Sequence, residues 1–405
     1  MPQLSYDEAL AQLLAKANPP AEIEELPLEQ ALGRVLARSQ HSDLEVPPHD
    51  NSAMDGYALR AADVPVAGTV LPVSQRIPAG SVGTLLQPGT AARIFTGAPV
   101  PPGADVVVMQ ENCEARDGAV VVNQVPQAGD NVRRAGEDIA KGAEIVPAGL
   151  RLNPQALGLL ASVGIPRVVV LRRLRVALFS TGDELVTPGQ PLPPGAIYNS
   201  NRYLLRGLLE RLGCEVTDLG NVEDTLDATR AALRRAAEGH DLILTSGGVS
   251  VGEEDHVKPA VEAEGELSLW AIAIKPGKPL AFGHVRRAAT SGQAAFIGVP
   301  GNPVAAFVTF LLLVRPFIRR SQGLSADMPA PLRLPAAFDW KKADGRRNFL
   351  RVRRDDEGRV QLFANQGSGV LTSTLWADGL VDLPPGQTVK AGDLVSYLPF
   401  CGLLD

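Results

Sequence analysis

Residues 242–252 read LILTSGGVSVG, a short apolar run that ends in Ser246 and the paired glycines Gly247 and Gly248. A run of that length, bounded by turn residues, reads as a buried strand that delivers a loop. Upstream, Val176 to Phe179 runs in the same way into Ser180, Thr181, Gly182, Asp183 and Glu184. Between the two lie helical stretches from Arg202 to Leu212 and from Leu226 to Ala237, with a strand around Val216. Leu204, Leu208 and Leu212, with Leu205 and Leu209 beside them, give the first helix an apolar stripe. Further strands are expected at Ala271 to Ile274, Leu280 to Phe282 and Phe296 to Val299, before a long apolar helix from Val304. This alternation predicts a parallel α/β sandwich domain, covered on both faces, over residues 172–324. Ligands of open α/β sheets bind beyond the carboxyl ends of the strands, so chemistry is sought in these loops.

The texture changes on both sides of that domain. Ser5 and Glu8 make a capping box for a helix carrying Tyr6, Leu10, Leu13, Leu14 and Ala17, and a second helix is expected from Leu28 to Ala37. Residues 44–132 carry short apolar runs, such as Val106 to Met109 and Val120 to Val122, separated by Gly, Pro and Asp; this predicts an inserted β domain. Asn153 before Pro154 starts another helix, with Gly164 past its end. Residues 1–43 and 133–171 are therefore read as a split helical and linker domain, with part of residues 1–25 packing on the α/β domain. Short strands at Leu350 to Val352, Val360 to Phe363 and Leu394 to Leu398 suggest a C-terminal β-barrel domain over 325–405. The expected fold class is multidomain α/β plus all-β.

Composition narrows the function classes. The 405 residues exceed the roughly 250 to 300 at which one core stops growing, so several domains are expected. A formal charge of −6 gives no general attraction to nucleic acid or an anionic membrane, so any bound anion must meet a local basic site. Cys113, Cys214 and Cys401 are far apart and no C-x-x-C or His-x-His spacing occurs, which supports neither a disulfide scaffold nor a zinc cage. No stretch reaches the roughly 18 apolar residues of a membrane span, and the N-terminus lacks a signal-peptide pattern, so a soluble cytoplasmic protein is expected.

The Ser246-Gly247-Gly248-Val249-Ser250 loop carries the sharpest local signal. Paired glycines let backbone N–H groups approach a phosphate, Ser246 and Ser250 add donors, and Glu253, Glu254 and Asp255 follow. Neither a Walker ending nor a G-x-G-x-x-G fingerprint is present. Lys275-Pro276-Gly277-Lys278-Pro279 places two of only eight lysines three apart in a turn fixed by prolines, a compact anion site if it is more than a solvated hairpin. Pro300, Gly301, Asn302 and Pro303 join a strand to a helix, and Asn302 or Pro303 could simply begin it. Asp183 and Glu184 could be solvated acids beside a Gly turn, and Asp224 before Thr225 reads by spacing as a helix-start acid. His49 to Tyr57 is unusually dense in hydrogen-bonding side chains for a turn.

Taken in order, DNSAMDGYA at 50–58, TGAPVP at 96–101, GED at 136–138, TGDEL at 181–185, SGGVSVG at 246–252, KPGKP at 275–279 and PGNPV at 300–304 resemble the MoeA-type family, which includes the gephyrin E domain. The resemblance implies an elongated homodimer whose active site lies between subunits. It implies insertion of molybdate into adenylylated molybdopterin, with magnesium-dependent hydrolysis of the adenylate. Carried onto this chain, Ser246, Gly247, Gly248 and Ser250 would hold the phosphate-bearing substrate, with Pro300 and Asn302 alongside. Asp224, Asp255 and Glu184 would organise magnesium, whose hard character suits carboxylates. Lys275 and Lys278, with Arg346 and Ser368, would receive molybdate or the dithiolene, the arginine being one of several in Gly345 to Arg351. Asp55, Thr96 and Asp138 would complete the site from the other subunit, with Asp55, Asp138, Glu184 and Asp255 as catalytic acids. Other proteins of the cofactor pathway are further expected partners. Two other readings stand beside this one: the adenylyltransferase of the same pathway, similar to the α/β part alone, and a gephyrin-like scaffold.

Overall fold

The computed structural model describes residues 3–248, 256–289, 292–326 and 328–404. The chain divides into two compact units, one of Met1–Glu24, Gly33–Val35 and Val170–Asp405, the other of Glu25–Leu32 and Leu36–Val169.

In the first unit, β1 (Gln3–Leu4), β2 (Arg175–Thr181), β3 (Glu215–Val222), β4 (Leu242–Ser246), β5 (Gly265–Ile272), β6 (Pro279–Arg286) and β7 (Gln293–Val299) form one sheet in the order β1-β5-β6-β7-β4-β2-β3. Strands β7, β4, β2 and β3 run parallel, but β6 is antiparallel to both neighbours. The expected parallel sheet is thus mixed, with β6 running against the rest. The chain from Arg286 to Gln293 is shorter than the dozen or so residues a parallel crossover needs, so it returns as a hairpin. As a result the lysine turn before β6 emerges on the same sheet edge as the carboxyl ends of β2, β4 and β7.

Side-chain alternation divides the sheet between two cores. Val176, Leu178, Leu242, Leu244, Ile297 and Val299 pack with α1 (Tyr6–Leu14), α2 (Ser200–Arg211) and the helical stretch 303–321. Ala177, Phe179, Ile243 and Phe296 pack with α3 (Leu226–Gly239) and α4 (Val257–Glu264). Ser5 and Glu8 form the expected capping box on α1. Within 303–321, Pro316 has no N–H to give the Leu312 carbonyl four residues back, and the Tyr6 hydroxyl donates to it instead at 3.2 Å. That bond ties α1 to the core helix.

The same unit contains a six-stranded sheet in the order Ile274–Lys275, Arg347–Arg354, Gly379–Leu383, Leu394–Pro399 and Leu332–Pro335, with Val360–Leu362 on the second of these. Leu350, Val352, Val381, Leu383, Val395 and Tyr397 fill its own core, while Phe349, Leu380 and Leu398 face the α/β core. An isolated bridge joins Ala336 to Val360.

The second unit is mainly β. Its six-stranded sheet runs Val106–Met109, Gly56–Leu59, Ala91–Ile94, Thr69–Ile77, Ala119–Val122 and Cys113–Arg116. Gly56 is obligatory there, since a Cβ would sit 1.9 Å from the Val108 carbonyl oxygen. The helix Pro154–Ser162 starts at Asn153, whose side chain accepts from Ala156 N at 2.8 Å, and Gly164 follows with φ +77°. The helix expected over Leu28 to Ala37 is not formed; Leu28–Gln30 makes a single 3-10 turn. Gly33 takes φ +74°, and the Leu36 and Ala37 N–H groups donate to Leu150 and Val169 carbonyls rather than back along a helix. Among the described residues no helix is long and apolar enough to cross a membrane.

Candidate functional site

A cleft of about 1000 Å³ opens in the first unit where the loops after β2, β4 and β7 meet the turn before β6. Its lining brings together Glu184, Ser246, Gly247, Gly248, Lys275, Lys278, Pro300, Asn302, Arg346 and Ser368. These residues were singled out in the sequence up to 184 positions apart; the α/β sheet edge collects those up to Asn302, while Arg346 and Ser368 come from loops beside the strands of the C-terminal sheet.

Each loop has its own local cause. Gly248 has φ +62°, and a Cβ there would lie 2.3 Å from Val257 Cγ2, so no side chain fits between the turn and α4. The Ser246 hydroxyl is buried, 3.3 Å from the Ser180 hydroxyl. Gly277, at φ +97°, turns the lysine loop so tightly that a Cβ would meet Thr309 Oγ1 at 2.8 Å. Asn302 stands at the N-cap of the helix from Pro303, yet its side chain makes no capping bond, so it is not merely a helix starter. Ser368 is fixed by its carbonyl, which accepts from Val304 N at 3.0 Å.

Sequence reasoning missed Asp344. Pairing of Ile274 with Arg347 and of Lys275 with Asn348 lays the lysine turn beside this acid. Asp344 lies 3.5 Å from Lys275 Nζ and accepts from Arg346 Nε at 3.2 Å and Arg346 N at 3.1 Å. The Arg346 side chain, then its N–H, hold the Asp344 carboxyl down at about 2, with the Lys275 charge contributing. A carboxyl whose folded pKa lies below its unfolded value stabilises the fold above about pH 4 and loses that contribution as pH falls toward 2. Asp344→Asn is therefore expected to melt below the parent from pH 5 upward, with the gap closing between about pH 4 and 2. Thermal unfolding at stepped pH checks this; a gap independent of pH would remove the ionic role.

Three arginines near Gly345 have different fates. Arg346 lines the cleft. Arg347 is taken up by Asp382 at 2.6 Å and Asp7 at 3.2 Å, and lies 4.8 Å over the Tyr6 ring. Arg351 is fully buried.

The acids are spread more widely. The Glu184 carboxylate folds over Gly182, where a Cβ would meet Oε2 at 2.6 Å, so glycine makes room for it at the cleft wall. Asp224 lies between β3 and Thr225, the N-cap of α3, on the same sheet edge but outside the cleft lining. Ser250 and Asp255 fall outside the described residues. Among the described residues no group of three or more His, Cys, Asp or Glu is placed to hold a metal ion. Magnesium that keeps its waters and takes phosphate oxygens needs only one or two protein carboxylates, and Glu184 is the one carboxylate in the described cleft lining.

In the second unit, pairing of Gly56 with Ile94 sets Asp55 against Thr96. Asp55 Oδ1 accepts from Thr96 N and Oγ1, both at 2.8 Å, and these bonds hold its carboxyl below the usual range, the backbone one most. The Arg93 guanidinium stacks beside them, 4.7 Å over the Phe95 ring and 5.2 Å over Tyr57. Asp138 is exposed, and its N–H donates to the Val46 carbonyl at 3.0 Å.

Comparison with known proteins covers nearly the whole chain. Residues 4–164 match the MoeA N-terminal region (domain I and II), residues 177–320 a probable molybdopterin binding domain, and residues 333–400 the MoeA C-terminal region (domain IV). The chain is 40% identical to a molybdopterin molybdenumtransferase of Haemophilus influenzae across 99% of this chain and 100% of the relative. It is 38% identical to molybdopterin molybdenumtransferase 2 of Mycobacterium tuberculosis across 89% of this chain and 90% of that one. A crystal structure of the molybdopterin biosynthesis MoeA protein of Pyrococcus horikoshii superposes with a TM-score of 0.84 at 28% identity, covering 98% of this chain and 99% of that one.

Proposed function

The chain belongs to the MoeA family of molybdopterin molybdenumtransferases, and from that membership we propose that its cleft joins molybdenum from molybdate to adenylylated molybdopterin as the adenylate is hydrolysed and AMP leaves. It is a transferase of molybdenum cofactor biosynthesis. One observation carries the site assignment: a phosphate-type glycine turn, a lysine turn and an arginine from a separate sheet line a single cleft.

In this reading the Gly247–Gly248 turn, with Ser246, Ser250, Pro300 and Asn302, holds the phosphates through backbone N–H groups and hydroxyls. Lys275, Lys278, Arg346 and Ser368 receive molybdate beside the dithiolene. Asp344 orients the Lys275 and Arg346 cations without neutralising Lys278. Water attacks the phosphoryl-adenylate bond, its oxygen joining phosphorus while the anhydride oxygen departs with AMP. Glu184, with Asp224 and Asp255, would hold magnesium, which would supply charge stabilisation for the phosphate oxygens. No protein nucleophile is required, because positioning and charge suffice for phosphoryl chemistry of this kind. Asp55, Thr96 and Asp138 complete the site from a second copy in a cytoplasmic homodimer. The 44–132 insert, the split 1–43 and 133–171 segment and closure of the C-terminal sheet as a barrel belong to the same reading, the Ala336–Val360 bridge supporting the last. An adenylyltransferase would account for the match at 177–320 but not for those at 4–164 and 333–400.

The test supplies the protein with adenylylated molybdopterin, molybdate and magnesium, and in parallel with molybdopterin and ATP. AMP release and cofactor formation in the first mixture alone are expected; consumption of ATP in the second would favour the adenylyltransferase. Asp55→Asn and Glu184→Gln chains, each poorly active, should recover part of the activity when mixed, since one composite site of the heterodimer keeps both acids. Heterodimers verified by mass that stay inactive would refute the shared site.

A further inference from the structure

Molybdate is a dianion, yet the lysine end of the cleft carries a negative charge of its own. Asp344 lies 3.5 Å from Lys275 Nζ and accepts from Arg346 Nε at 3.2 Å, Arg346 Nη2 at 3.3 Å and Arg346 N at 3.1 Å. Both cations line the cleft and Asp344 does not, so the carboxylate meets them from outside the lining. Its backbone is fixed there. The Asp344 carbonyl accepts from Gly386 N at 2.8 Å, and pairing of Ile274 and Lys275 with Arg347 and Asn348 holds the two segments side by side. With the Arg346 side chain holding it at about 2, the carboxyl stays ionised at neutral pH. Lys278, the remaining cation among the described lining residues, makes no ion pair among the described residues. The other acid of the lining, Glu184, follows β2, three strands along the sheet from the lysine turn before β6.

A plain trap for an oxyanion has no use for this carboxylate, because like charges repel and the cost grows with the charge of the ligand. A site that must pass its ligand on does. Binding that is as strong before the reaction as during it does not raise turnover, so excess affinity for the incoming oxyanion is a handicap. A carboxylate already bonded to two of the three cations lowers that affinity, and takes both cations back as the oxyanion is consumed. The effect has a signature. Coulomb energy is proportional to the product of the charges, so removing one negative charge changes the binding energy of a dianion by twice that of a monoanion at the same place. A misplaced lysine turn would weaken both anions instead.

Resting on the function proposed above, we infer that Asp344 is a built-in counter-ion that competes with molybdate for Lys275 and Arg346 and so limits how tightly the cleft holds the oxyanion before transfer. It is a positioning residue, acting through the two cations. Molybdate, tungstate and perrhenate are tetrahedral oxyanions of similar size, and perrhenate carries a single charge. Each is titrated into the wild-type protein and the Asp344→Asn and Asp344→Glu variants, at a temperature where thermal unfolding shows all three proteins folded. Asp344→Asn should bind molybdate and tungstate about tenfold more tightly and perrhenate about threefold, the square root that half the charge demands. Asp344→Glu keeps the charge and should stay within about twofold of wild type for every anion. In the insertion assay Asp344→Asn should need less molybdate for half-saturation and turn over more slowly, a split that loosening of the fold would not give. Unchanged affinities, equal factors for all three anions, or weaker molybdate binding in Asp344→Asn overturns the counter-ion alone and leaves Asp344 orienting its cations. A wild-type protein that binds neither molybdate nor tungstate and releases no AMP overturns the proposed function with it.

Discussion

Lys278→Ala is expected to raise the molybdate concentration for half-maximal insertion about tenfold, and Lys275→Ala to raise it by less. Both lysines line the cleft, but Lys275 already lies 3.5 Å from Asp344, whereas Lys278 is exposed with its ammonium uncommitted to any ion pair among the described residues. Two unit charges about 4 Å apart attract by about 4 kcal/mol at an effective dielectric near 20, before desolvation is subtracted. A net loss of about 1 to 3 kcal/mol is then reasonable for the uncommitted lysine, and each 1.4 kcal/mol is a factor of ten. High molybdate should restore the rate. If AMP or molybdopterin affinity falls by the same factor, Lys278 meets a phosphate instead, and wild-type affinities throughout would return it to a solvated turn.

How far the sequence announces this site depends on the range of the interaction. Loops that follow strands are local events: Leu242 to Ser246 ends in glycines that must take positive φ, and reading the strand suffices to find the turn. The capping box at Ser5 and the helix start at Asn153 are equally local. Leu28 to Ala37 has helical spacing as well, but its donors are claimed by Leu150 and Val169, partners more than a hundred residues away. Asp344 shows the same limit. In Lys341-Lys342-Ala343-Asp344-Gly345 it looks like a solvated loop acid, and its role exists only because Lys275 pairs beside Asn348. Tyr198 stands in a Pro-rich stretch with no motif around it, so its exposure inside a cleft could be found only from the fold.

Arg351→Ala is expected to destabilise the protein by about 3 to 5 kcal/mol and to loosen the wall of the cleft that carries Ser368. Arg351 is fully buried, and no carboxylate pairs with it among the described residues. Its Nε donates to Ser373 Oγ at 3.1 Å, and one terminal nitrogen donates to the Gly367 and Asn365 carbonyls at 3.0 and 3.3 Å. Its backbone N–H and carbonyl are both engaged by Gln366, at 3.0 Å each. The side chain thus fixes residues 365–367, and the loop continues into Ser368 and Gly369 at the cleft surface. Burial pushes the guanidinium down to about 10, so the fold bears the cost of its charge at neutral pH and is relieved of it only as pH rises through that value. A charge retained against that cost must be satisfying acceptors that would otherwise be orphaned. Arg351→Met separates the two contributions, because it refills much of the volume while leaving the Asn365 and Gly367 carbonyls without their donor. It should still cost about 1 to 3 kcal/mol, and amide exchange in 365–371 should accelerate more than elsewhere in the sheet. Molybdate affinity should weaken together with that loosening. An Arg351→Met protein as stable as the parent, with unchanged exchange in this loop, would mean that packing rather than the guanidinium holds Ser368 in place.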